Sequence, residues 1–386
     1  MEYDFDTILD RRHTNSEKWN VKANELPMTT ADMDFKTAPE IMTAMKKKID
    51  SGAFGYEYPS DEYFNAVASW YKTEHNTEAD TAWMRFATGV IPSITACVNY
   101  LSHEGDNVLV MEPVYNTFYN SILNSGRHAF PTQLKYDQST YTYSVDWDDL
   151  EEKMSNPLTT LMILCNPHNP TGYVWSHDEL IRIIKLAQKY GIIVISDEIH
   201  GDLVLTGPDY TPTFSLPEDC RQNVVTLVST SKTFNVAALH AATGIVPNPL
   251  LREHFTRAIN KYEVAEPNLL AIPGTIAAYT QGADWLHQLK QYLLGNRKYL
   301  EKFIRTNLPQ LHVVPGTATY LVWIDVSAVT DNSAALAQKI REQTGLIINP
   351  GTYYHGNGSQ FIRINIAYPR SQVKDGLERL ATAIKN

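Results

Sequence analysis

The stretch SHDELIRIIKLAQKYGIIVISDEIHGD, residues 176–202, sets a helix, a glycine stop and a wholly apolar strand in direct succession. Ser176 to Tyr190 has helical apolar spacing, and Gly191 supplies the C-cap that ends it. Ile192 to Ser196 then runs without polar alternation, as a strand does when both its faces are covered. Working outward, similar runs recur at Asn107 to Met111, Thr159 to Cys165 and Asn223 to Val228, separated from residue 86 onward by helical stretches. That alternation predicts an α/β fold: a large domain with a mostly parallel sheet flanked by helices. After about residue 280 the pattern changes. A long helix (Trp285 to Arg305) precedes strands at Leu311 to Val314 and Tyr320 to Val326, a helix near Ser333 to Thr344, a strand at Phe361 to Ala367 and a terminal helix. This predicts a smaller α+β domain. On the N-terminal side, Thr37-Ala38-Pro39-Glu40 has capping-box spacing with Pro in the first turn, and its helix runs into Ser51-Gly52. The expected division is residues 1–48 as an N-terminal arm and part of the small domain, 49–280 as the large domain, and 281–386 as the small C-terminal domain.

A chain of 386 residues exceeds the roughly 250 to 300 at which single cores stop growing, which agrees with two domains. Hydrophobic residues make up 43% and charged residues 20%, a globular balance far from that of disordered chains. Lys plus Arg number 33 against 43 Asp plus Glu, a net charge of -10 without a long basic block. Nucleic acid and anionic membranes are therefore disfavoured as partners. Three cysteines without C-x-x-C spacing indicate neither a disulfide framework nor a zinc ribbon. No apolar run approaches the roughly 18 residues of a membrane span, and a soluble, cytoplasmic protein is expected.

In an open parallel sheet, ligands bind beyond the carboxyl ends of the strands. Three apolar runs end in polar groups there. One exits into Asn166-Pro167-His168-Asn169-Pro170-Thr171-Gly172, where Asn, Pro and Gly make a rigid loop; a plain tight turn reads equally well from this segment alone. A second exits into Asp197-Glu198-Ile199-His200-Gly201-Asp202. On an extended segment Asp197 and Glu198 point to opposite faces, so a metal site is disfavoured, and a helix cap or surface turn is the ordinary reading. The third exits into Ser229-Thr230-Ser231-Lys232. A lysine is ordinarily a solvated surface charge, but one after a buried strand and before an apolar stretch is desolvated, which lowers its pKa and makes it nucleophilic.

Together these segments resemble the fold type I pyridoxal 5'-phosphate enzymes of the aspartate aminotransferase superfamily. The motifs NPHNPTG, SDEIH and STSK stand in that family's order. Ala31-Asp32-Met33-Asp34-Phe35, Phe54-Gly55-Tyr56, Ala87-Thr88-Gly89-Val90 and Glu112-Pro113-Val114-Tyr115 resemble its cystathionine β-lyase-like C-S lyases, the MalY/PatB group. The resemblance spans nearly the whole chain. It implies that Lys232 holds the cofactor covalently and that Asp197 pairs with the protonated pyridine nitrogen, keeping the ring able to accept electrons. It further implies that Asn169 donates to the ring's phenolic oxygen, that Tyr115 stacks on the ring, and that Gly89, Val90 and Ile91 cradle the phosphate at a helix N-terminus. Ser229 adds a phosphate hydrogen bond, and Tyr56 reaches the phosphate of a neighbouring subunit in a homodimer with shared active sites. Arg363 grips the substrate α-carboxylate with its bidentate fork. Without the resemblance, Tyr115 reads as a core aromatic and Arg363 as an exposed strand arginine.

One position departs from the superfamily's pattern: eight residues after the lysine, where an arginine usually pairs with the phosphate, stands His240. The C-S lyase-like group also tends to lack that arginine. The expected activity is therefore a C-S β-lyase cleaving L-cystathionine or related cysteine S-conjugates to thiol, pyruvate and ammonia. An aminotransferase is the nearest alternative, and a non-catalytic binding or regulatory protein of the same fold is a more distant one.

Overall fold

The computed structural model describes residues 2–385. A seven-stranded sheet is built from β1 (Met84–Ala87), β2 (Asn107–Glu112), β3 (His128–Gln133), β4 (Thr159–Cys165), β5 (Ile193–Asp197), β6 (Val224–Val228) and β7 (Ala242–Ile245). Their order is β1-β7-β6-β5-β4-β2-β3. From β6 to β3 every pairing is parallel, and β7 alone runs antiparallel to both its neighbours. The mixed α/β fold thus matches the sequence expectation.

The apolar runs lack alternation because each face of the sheet has its own helical cover. Val108, Val110, Leu161, Ile163 and Ile195 share one cluster with Ile94 and Cys97 of α2 (Val90–Leu101). Leu109, Met111, Met162, Leu164 and Val194 share another with Leu180, Ile183 and Ile184 of α3 (His177–Lys189). Successive side chains of a strand point to opposite faces, so a strand covered twice must be apolar at every position. α3 opens with a capping box between Ser176 and Glu179 and closes before Gly191, whose φ is +72°.

Ahead of the sheet lies α1 (Pro39–Asp50), which starts where Pro39 predicts, but the expected Thr37 cap is not made. Ala38 is the N-cap residue, without a side-chain cap bond, and the Thr37 hydroxyl is buried and unpaired. After residue 280 come the 25-residue helix Ala283–Asn307 and a four-stranded antiparallel sheet. That sheet comprises β8 (His312–Val313), β9 (Leu321–Asp325), β10 (Asn349–Pro350) and β11 (Phe361–Asn365), in the order β8-β9-β11-β10. The chain's two ends meet where Leu26–Pro27 pairs in parallel with Leu346–Ile347. Among the described residues no helix is long and apolar enough to cross a membrane, and all three cysteines are free and buried.

Candidate active site

Beyond the carboxyl ends of β4, β5 and β6 lies a cavity of about 280 Å³, with Gly89, Val90, Ile91, Tyr115, Asn169, Asp197, His200, Ser231, Lys232 and His240 among its lining residues. Asp197 is the last residue of β5 and 4% exposed. Its Oδ1 accepts from Ile199 N at 3.1 Å. Burial pushes the carboxyl pKa up to about 7, against that bond and the Lys232 charge. Glu198 turns to the opposite side, where Ser196, Tyr210 and Thr213 satisfy it, so it belongs to the framework. Among the described residues no group of three or more His, Cys, Asp or Glu is placed to hold a metal ion.

Lys232 sits on a one-turn helix, Thr230–Thr233, immediately after β6. Its Nζ donates to Ala31 O at 2.8 Å, and burial lowers its pKa, with the Asp32 charge opposing that shift. Asn169, 4% exposed, accepts through Oδ1 from Arg363 Nη1 at 3.1 Å, leaving its amide NH₂ for the cavity. Arg363 is itself buried on β11. Its Nη2 donates to Thr29 O at 3.0 Å, and its guanidinium lies 4.9 Å from the Tyr354 ring centre. An ordinary exposed strand arginine is thereby excluded.

At the mouth of α2, the N–H groups of Val90 and Ile91 fall within the first turn and have no intrahelical acceptor. Gly89 has φ of +152°, and a Cβ there would lie 3.1 Å from Pro92 Cδ. Backbone amides facing a cavity at a helix N-terminus suit a phosphate group. Ser229 lies behind this wall: its Oγ donates to Ala241 O at 2.6 Å and accepts from Ser231 N at 3.0 Å. Ser231, two residues on, lines the cavity instead. Tyr56 is fully exposed and does not line this chain's cavity. His240 does line it, on left-handed backbone with φ of 48°.

The N-terminal arm, whose residues 31–35 carry part of the resemblance, completes the site through backbone contacts that the resemblance did not specify. Its Ala31 and Thr29 carbonyls accept from Lys232 and Arg363, and its Thr30 and Asp32 carbonyls accept from Asn365 Nδ2 at 2.7 and 2.8 Å. Asn235, three residues after Lys232, exchanges hydrogen bonds with Met33 and donates to Phe35 O. Lys18, buried, bridges Asp32 and Asp34 at 2.7 and 2.5 Å. Asp202 was also missed. It accepts from Trp70, His75 and Thr233 and so braces the Lys232 turn.

These residues fit pyridoxal 5'-phosphate. A buried carboxylate that makes no salt bridge among the described residues faces a cavity that also holds a desolvated lysine, an amide donor and a glycine-shaped cradle of backbone N–H groups.

A family model for the class I and II aminotransferases matches residues 18–380. Cystathionine beta-lyase PatB of Bacillus subtilis is 36% identical, covering 98% of this chain and 99% of its own. Protein MalY of Escherichia coli is 34% identical, covering 99% of each chain. Among solved structures, cystalysin from Treponema denticola, which contains a pyridoxal 5'-phosphate cofactor, superposes with a TM-score of 0.95 at 30% identity. It covers 100% of this chain and 99% of its own.

Proposed function

Because the chain belongs to the class I and II aminotransferase family, with cystathionine β-lyase relatives matched end to end, we propose that it is a pyridoxal-phosphate-dependent C-S β-lyase. Its substrates are L-cystathionine or related cysteine S-conjugates, which with water yield a thiol, pyruvate and ammonia. The observation that carries this reading is the convergence of Lys232, Asp197 and Asn169 on one cavity, with Arg363 bonded to Asn169.

When bound, the cofactor supplies an electron sink for the pair left at the substrate's Cα. The chain's residues do the rest. Asp197 would stand, ionised, at the ring nitrogen and keep that nitrogen protonated. Arg363, pre-aimed by Thr29 O and Asn169 Oδ1, takes the substrate α-carboxylate in its fork. Lys232 Nζ would anchor the cofactor and serve as the base for the Cα proton; its lowered pKa favours the neutral amine that a base needs. Thiolate departure from Cβ follows. Gly89, Val90, Ile91 and Ser231 hold the phosphate end, and Tyr115 covers the ring face.

The experiment that separates this reading from an aminotransferase uses L-cystathionine as sole amino acid, without a keto acid. Continuous, stoichiometric release of pyruvate, ammonia and homocysteine is expected. A single turnover that restarts only on addition of a keto acid would transfer the assignment to the aminotransferases.

Association into a homodimer is part of the same proposal. Phe54, Tyr56 and Tyr58 are 70, 100 and 75% exposed, three large aromatics in five residues left uncovered, as on an interaction surface. Its place in the proposal is the partner's phosphate, reached by Tyr56. Sedimentation run beside the assay is expected to show activity falling as dimer dissociates. Tyr56→Phe is expected to weaken cofactor binding about tenfold, roughly 1.4 kcal/mol. A fully active monomer would refute the shared site.

A further inference from the structure

Lys232 rides on a helix of four residues, Thr230–Thr233. Isolated helices shorter than about 12 residues are marginal in water, so this turn takes its direction from what grips its two ends. At the start, Ser229 Oγ accepts from Ser231 N and donates to Ala241 O. At the end, the Thr233 hydroxyl donates to Asp202 Oδ2 at 2.6 Å, and both residues are buried. The other oxygen of Asp202 accepts from Trp70 Nε1 at 2.8 Å and from His75 Nε2 at 2.7 Å. Trp70 also meets the Phe234 ring edge to face, 5.6 Å between centres. Asp202 and Trp70 thus take hold of the two consecutive residues that follow the lysine, and tie them to the helix Asp61–Glu74, outside the sheet.

Burial acts to raise the Asp202 pKa, but the His75 bond and charge, with the Thr233 and Trp70 hydrogen bonds, outweigh it and hold the carboxyl below its ordinary value. An ionised carboxylate only accepts, so each of the three contacts is a charge-assisted bond, the stronger kind. Neither Asp202 nor Thr233 lines the cavity. Whatever they contribute to the chemistry passes through the lysine.

Resting on the reading of Lys232 given above, we propose that Asp202 and Thr233 are positioning residues: their bond fixes the Lys232 turn so that Nζ is delivered at the range and angle needed, first for linkage to the cofactor and then for the Cα proton. Misplacing a reacting group by about 1 Å costs up to about 10²-fold in rate, and a turn of one helical repeat has nothing of its own to prevent such a shift.

The test compares Thr233→Val, which removes the hydroxyl at nearly constant volume, with Thr233→Ser, which keeps it. Two rates are read: formation of the borohydride-reducible link at Lys232 when cofactor-free protein meets pyridoxal 5'-phosphate, and loss of deuterium from Cα-deuterated L-cystathionine on the holoenzyme. Thr233→Val is expected to lower both about tenfold with KM held within about twofold, and Thr233→Ser to restore both. In a Lys232→Ala background with a small primary amine as base, Thr233→Val is expected to alter deuterium loss by less than about twofold, since a diffusing base needs no positioned turn. Wild-type rates in Thr233→Val overturn the proposal, as does a Ser variant as slow as Val. An equal loss in the amine-rescued background also overturns it, because the effect would then not pass through the lysine. Thr233→Ala carries the same expectations where the Val protein does not fold, since it sets no methyl against Oδ2. Lyases and aminotransferases share the loss of Cα deuterium. Deuterium loss without pyruvate therefore removes the lyase reading and leaves the positioning role standing, whereas pyruvate release with an unimpaired Thr233→Val does the reverse. Wild-type protein that loses no deuterium and takes no label on Lys232 overturns both.

Discussion

Lys232→Ala is expected to lower turnover of L-cystathionine by about 10⁴-fold or more, the upper range for a positioned general base. The loss is large because one atom has two tasks. In the proposed mechanism Nζ both anchors the cofactor and removes the Cα proton, and its hydrogen bond to Ala31 O holds it in the cavity for both. Borohydride reduction should label Lys232 in the wild type and leave the variant unlabelled. Small primary amines should return part of the activity, since they replace the base without replacing the tether. Turnover within tenfold of wild type would remove Lys232 from the chemistry.

Asp197→Asn is expected to cost about 10³-fold in turnover, near 4 kcal/mol at 1.36 kcal/mol per decade, while the cofactor stays linked through Lys232. The same substitution has the opposite effect on the cofactor-free chain. Asp197 holds its proton up to a pKa of about 7 in the folded protein, against about 3.9 for an unfolded aspartate. Between those values the folded state binds the extra proton, so stability falls as pH rises from 4 to 7 and is level beyond. Asparagine has no such slope. Cofactor-free Asp197→Asn should therefore be the more stable protein at pH 8, by on the order of 4 kcal/mol, with the difference vanishing below pH 4. Denaturant unfolding at both pH values checks this. Equal stabilities at pH 8 would mean that the carboxylate is not desolvated, and near-native turnover would contradict its part in the electron sink.

How much of this was legible depended on whether the signal was local. The runs at 107–111, 159–165 and 223–228 are readable because strands with both faces covered have no polar positions to blur them. β7 is not: Ala242-Thr243-Gly244-Ile245 is only four residues long, and two of them are alanine and glycine. Its glycine is there because a Cβ at Gly244 would lie 2.3 Å from the Phe255 ring, a constraint set by another element. β1 is interrupted by Arg85, which reaches Thr256 and nearby carbonyls, and so resembles a loop. The Thr37 cap has the right spacing and the wrong backbone, since spacing does not say which residue holds the N-cap dihedrals. Within the site, Asp197, Lys232 and Asn169 follow apolar strands and could be found from order alone. Ser229 is the extended N-cap of a one-turn helix and Ser231 lies within it, a difference of two positions below the resolution of a motif. Asp202 and the arm carbonyls act across spans of up to 335 residues, and spacing along the chain does not say which residues meet over such distances.

The arm contacts also dictate when, during synthesis, the enzyme comes into being. Lys232 and Asp197 belong to a sheet whose last strand ends at Ile245, so a growing chain has all of that sheet while more than a hundred residues are still to be added. The Leu26–Pro27 strand has no partner until Leu346–Ile347 emerges, and Thr29 waits for Arg363, 334 residues away. Domains form as units in order of emergence from the ribosome, and a closure of that span is entropically unfavourable until the C-terminal sheet offers a rigid surface. A chain released early, at residue 340 for example, would keep the sheet that leads to the lysine and lack both Arg363 and the partner strand of its own N-terminus. On the proposed roles, such a fragment would be able to acquire cofactor before it could discriminate among amino acids.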